Sequence, residues 1–125
     1  MAPEQLLRSL RRIAYVLAGT GTLYLFVRYD LFDVPEVGCS PVVGVAPGAR
    51  LLLDSWAEDA RVDDVVLFRD ANGALHIGRI VEPGEALGPE AVWIGGDDPD
   101  CPGYESAASG AVPRGAIRAR VLVAF

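Results

Sequence analysis

The sequence predicts a mainly β protein in which one N-terminal membrane-anchor helix is followed by a small antiparallel β domain. Three observations predict this. A charge-free apolar run, "IAYVLAGTGTLYLFV" (13–27), follows the basic segment "RSLRR". Beyond Pro35 the pattern changes to short β-branched or aromatic runs. Turn chemistry separates those runs: "DANG", "EPGE", "DDPDCPG" and "VPRG".

The elements follow in chain order. The fifteen residues of the first run rise about 22 Å as a helix, against about 30 Å of bilayer hydrocarbon. Leu6 and Leu7 upstream, and Leu31 and Phe32 downstream, extend the run if the intervening arginines snorkel to the surface. Tyr15, Tyr24 and Tyr29 suit the membrane interfaces, and Arg8, Arg11 and Arg12 hold the N-terminus inside. No A-x-A-like cleavage site follows, since the chain continues as "RYDLFDVPEV". Residues 1–33 are therefore read as a basic cytoplasmic tip and a single transmembrane signal anchor, and 34–125 as the β domain. Its expected strands are "LLLD" (51–54), "VVLF" (65–68), "ALHIGRIV" (74–81), "AVWIG" (91–95) and "IRARVLVAF" (117–125). In the last, Ile117, Ala119, Val121 and Val123 are expected to pack one face inward.

Composition narrows the chemistry. The 125 residues suit one domain with one modest core, and 51% of them are hydrophobic. The net charge of −6 and the absence of a basic patch exclude nucleic acid as the expected partner. All 11 basic residues are arginine, there is no lysine, and His76 is the one histidine. Cys39 and Cys101 leave three readings open: a single disulfide, soft metal ligands together with His76, or two buried thiols. Asp97, Asp98 and Asp100 read as a polar turn rather than a cation site, and Glu58, Asp59, Asp63 and Asp64 as a solvated acidic loop. No cofactor or metal is expected.

Four segments carry a resemblance. "GCSPVVGVAPG" (38–48) sets Ser40 eight residues before Gly48; "DDVVLFRD" (63–70), "GRIVEPGE" (78–85) and "IGGDDPDCPGYESAASGAVPRGAIRARV" (94–121) follow in order. Together with the N-terminal run they resemble signal peptidase I, a family of membrane-anchored serine endopeptidases. The resemblance implies a signal-peptidase-like β domain from about Val34 to the C-terminus, with Ser40 at the nucleophile position. It also implies supporting positions at Arg79, Asp97, Asp98, Glu105 and Ser106. It places Cys39 and Cys101 beside segments that converge in the family, and so favours their approach.

The catalytic positions depart from the family. The lysine position, immediately before Arg79, is Gly78; the hydroxyl that would orient the lysine is replaced by Gly103; Ala107 stands for an arginine. A serine hydroxyl needs an adjacent base, and arginine stays protonated in proteins. A Ser/Lys dyad within this chain is therefore impossible. His76 is the one conventional substitute; it lies two residues before the lysine position counted back from Arg79, a displacement of about 6–7 Å along a strand, and one residue before it counted back from Pro83 and Gly84.

The expected function is accordingly that of a non-catalytic, signal-peptidase-like membrane protein. It would bind extended peptide or a partner subunit along the edges at Val37, Gly38 and Cys39 and at Leu75, Ile77 and Gly78. The alternative is an active endopeptidase that cuts signal-peptide-like substrates with a Ser40/His76 dyad. Single-pass placement with the C-terminal domain outside the cytoplasm accompanies both readings.

Overall fold

A computed structural model describes residues 2–36, 38–83 and 87–125. The elements are α1 (Pro3–Arg28), β1 (Tyr29–Asp33), β2 (Arg50–Asp54), β3 (Val65–Arg69), β4 (Leu75–Val81), β5 (Ala91–Gly95), the single-turn α2 (Ser106–Ser109), β6 (Val112–Pro113) and β7 (Ile117–Ala124). The strands form one sheet in the order β1-β2-β7-β3-β4-β5-β6, with every neighbouring pair antiparallel.

Helix α1 begins with proline in its first turn, where no intrahelical donor is lost, and carries Arg28 in its last turn. None of its residues is buried, and its main contact with the sheet is to β1, into which it continues. Its 26 residues rise about 39 Å, yet the charge-free part covers about 22 Å of that. No helix among the described residues is long and apolar enough to cross a membrane. The expected anchor is thus present as a helix but short as a span, because arginines close the apolar run at both ends.

The helix passes directly into β1, which the sequence reading joined to the apolar N-terminal segment. Tyr29–Asp33 instead pairs along its whole length with β2. Alternation explains this: Phe32 packs against the core while Leu31, its neighbour, is exposed.

Two apolar clusters bury the two faces of the sheet. Val66 and Phe68 of β3 join Ile80, Val92, Ile94 and Val112 on one face. Leu67 joins Leu51, Leu53 and Ala119 on the other, which Val42 and Val45 of the 34–49 segment cover. Strand β7 does not keep the single inward face expected of it. Its register slips at Arg118 and again at Leu122. Each extra residue reverses the alternation. Ile117 packs in the first cluster, Ala119 and Val121 in the second, and Val123 is 52% exposed.

Candidate functional site

Strand β4 forms one wall of the candidate site. Asp70 N–H donates to the Ala74 carbonyl and Ile80 N–H to the Asp64 carbonyl, so the even-numbered residues 74–80 turn their backbone groups toward β3. The odd-numbered residues turn the other way. There β5 pairs with residues 79–81 and no further. The N–H and C=O groups of Leu75 and Ile77 therefore line an edge without a partner strand among the described residues. Their side chains pack on the second cluster. Gly78 faces the other way: a Cβ built there would meet Ile94 Cγ2 at 2.5 Å, so only glycine fits.

The segment that carries Ser40 is fastened to the loop after β5. A disulfide joins Cys39 to Cys101, with Cα atoms 5.9 Å apart. Pro41 packs on Gly103, where an added Cβ would lie 2.8 Å from Pro41 Cγ. Asp97 N–H donates to the Pro41 carbonyl at 2.7 Å, and Val43 N–H donates to Asp97 Oδ2 at 2.9 Å. Arg79 then grips Asp97 with two hydrogen bonds of 2.9 Å and donates to the Asp63 carbonyl. This guanidinium, followed by the Val43 N–H, holds the Asp97 carboxyl below its usual range. The remaining positions are local fasteners. Asp98 Oδ1 accepts from Asp100 N–H, Glu105 Oε1 from Gly96 N–H, and the buried Ser106 Oγ from Ile94 N–H. Gly38 occupies the left-handed region at φ +84°, while Val37 lies outside the described residues.

Ser40 and His76 have different partners. Ser40 Oγ donates to the Val42 carbonyl at 3.2 Å and accepts from Val42 N–H at 3.3 Å, closing its own turn. His76 Nε2–H donates to Asp70 Oδ2 at 2.8 Å. Its ring forms a triangle with those of Phe68 and Tyr104, with centroids 5.7 and 5.4 Å away. No hydrogen bond joins Ser40 to His76 among the described residues.

His76 and Asp70 open instead into a cleft of about 590 Å³, which Asn72, Gly103, Tyr104 and Ser109 also line and Ser40 does not. Asp70 is held there by its turn. Its Oδ1 accepts from Asn72 N–H and Ala74 N–H, and Gly73 supplies the positive φ of 81°. His76 first, then these amides, lower the Asp70 carboxyl below its usual range. Sequence reasoning passed over Asp70 and Tyr104. The signal for Asp70 was its place at the start of "DANG", six residues before the histidine; Tyr104 carried no such signal.

A second carboxylate, at the helix root, was also missed. Asp54 at the end of β2 accepts from Arg28 Nε and Nη2 at 3.1 and 3.0 Å, from Arg120 at 3.4 Å and from Trp56 N–H. Arg28 lies over the Trp56 ring, 4.4 Å from its centroid, and also hydrogen-bonds the Tyr24 hydroxyl. No group of three or more metal-ligating side chains occurs among the described residues.

These features define a class: a disulfide-bridged antiparallel β domain on an exposed helix, with an open strand edge next to a cleft. No protein-family model matches the sequence, and no curated protein matches it.

Proposed function

We propose that this chain is a membrane-associated relative of signal peptidase I that binds an extended peptide or partner segment and does not cleave it. One observation carries the reading: the backbone groups of Leu75 and Ile77 lie along an edge of β4 that has no partner strand among the described residues. A peptide added along that edge gains main-chain hydrogen bonds, and these require no catalytic base. Catalysis, by contrast, lacks its base. Ser40 is closed on Val42, His76 is engaged by Asp70, and the position of the family lysine faces Ile94 in the core.

Membrane association rests on α1, whose apolar run is exposed on every side and bounded by arginine and tyrosine. Its length deficit of about 8 Å is one that snorkelling and local bilayer thinning accommodate. Placement of the β domain outside the cytoplasm is supported by the Cys39–Cys101 bridge, which persists in oxidising compartments.

The test uses the full chain in lipid vesicles, with fluorescent extended peptides that carry small side chains. Saturable binding with intact peptide after long incubation is expected, as is retention of the protein in the membrane after alkaline carbonate. Cleavage by the wild type that both Ser40→Ala and His76→Ala abolish without unfolding would replace this reading with the endopeptidase. Release by carbonate would end the membrane assignment.

A further inference from the structure

The open edge of β4 and the Asp70–His76 cleft meet at His76, and strand parity links them. We infer that the cleft is a subsite for a long basic side chain, arginine or lysine, of the bound peptide. This rests on the peptide-binding reading given above.

A strand added beside Leu75 and Ile77 places one of its residues opposite His76. Opposed residues share a face, so that side chain points to the face on which His76 lines the cleft. The chemistry of the cleft selects a cation. Asp70 Oδ1 is filled by two backbone N–H groups, but Oδ2 accepts from His76 Nε2 alone among the described residues, and the Asp70 side chain is 20% exposed. One acceptor direction on an ionised carboxylate is left for a ligand. The adjacent arginine in sequence, Arg69, donates to the Gly73 carbonyl. The Tyr104 ring, tilted beside His76, offers an aromatic surface of the kind a guanidinium or ammonium approaches.

Length selects as well. Asp70 sits in the β3–β4 turn, on the far side of β4 from the open edge. A ligand side chain must therefore cross His76 to reach Oδ2, which lysine and arginine do and shorter side chains do not.

The test compares peptides identical except at one position, which carries arginine, norleucine or glutamate in turn, with that position moved along the sequence. Binding is measured by fluorescence anisotropy on the full chain in vesicles. At one position, arginine should bind about tenfold more tightly than norleucine, and glutamate more weakly than either. Asp70→Asn keeps the turn acceptor and should remove the arginine preference, and far-UV circular dichroism of the variant checks the fold. Should that variant not fold, the order of the three peptides on the wild type decides alone. Equal affinities at every position would overturn the subsite and leave peptide binding standing. Failure of all the peptides to bind would overturn both.

Discussion

Two aspartates, each closing a β-strand, are used in opposite ways. Asp54 is 1% exposed and meets two arginines and a backbone N–H. Asp70 meets one histidine and its own turn, and it borders an open cleft. Both carboxyls are held below the ordinary range, Asp54 chiefly by Arg28 and Asp70 chiefly by His76. A lowered pKa therefore does not separate a fastener from a site. Saturation does: Asp54 has no acceptor direction to offer a ligand, while Asp70 keeps one.

The largest effect is expected on the open side of that comparison. The bridge from Cys39 to Cys101 spans 62 residues, and chain entropy assigns a loop of that length about 4 kcal/mol. The Cys39→Ser/Cys101→Ser variant should lower the urea midpoint accordingly. Limited proteolysis should then cut near 38–41 or 97–103 before it cuts at the helix root. Earlier cutting near residues 28–33 would show that Asp54, not Asp70, guards the weaker region.

Asp54→Asn comes next. It leaves Arg28 without its charge partner and Arg120 with the 3.9 Å pairing to Asp64, and both keep some contact with water. A loss of about 2–3 kcal/mol is expected, below that for a fully buried pair. Acid titration sharpens the contrast. A carboxyl lowered on folding contributes its full stability above the unfolded pKa, near 4, and loses it as the pH falls through the folded value. Wild-type stability should therefore fall steeply below about pH 4. Asp54→Asn should flatten that fall more than Asp70→Asn does. Equal flattening would make the two carboxylates alike and remove the basis of the comparison.

The reason some of this was legible in the sequence lies in periodicity. Alternating runs bounded by glycine and proline turns locate β2 to β5 and β7 to within a residue or two. They fail where register overrides local pattern. The bulges at Arg118 and Leu122 depend on the partner strands, and β1 takes strand form through pairing with β2 that the apolar sequence does not announce. At the site, Ser40 and His76 are visible as residue types. What each touches depends on side-chain direction: Ser40 folds back on Val42, and His76 turns to an aspartate in the preceding hairpin.

Gly78 gives a smaller effect. The sequence suggests that a lysine there would restore a base, but the space beyond its Cα is occupied by Ile94. Gly78→Ala should already cost about 1–3 kcal/mol as overpacking, and Gly78→Lys should destabilise further without producing cleavage. Cleavage by Gly78→Lys would mean that β4 shifts to direct the amine toward Ser40.

The smallest effect belongs to Ser40. Its hydroxyl makes two hydrogen bonds to one residue within a half-exposed turn. Ser40→Ala should cost no more than about 1 kcal/mol, because water replaces partners lost at such a site. Peptide affinity should stay unchanged, since the open edge belongs to Leu75 and Ile77. The same substitution in an enzyme would remove the nucleophile and with it the reaction. General-base assistance alone contributes about 10²–10⁴-fold to rates, so a site without it turns over slowly even with its serine intact. If Ser40→Ala eliminates a measurable peptide hydrolysis by the wild type, the hydroxyl must leave Val42 to find a base. The loop bridged to Cys101 would then be the moving part of an active site, and the division between a closed fastener and an open binding edge would fall.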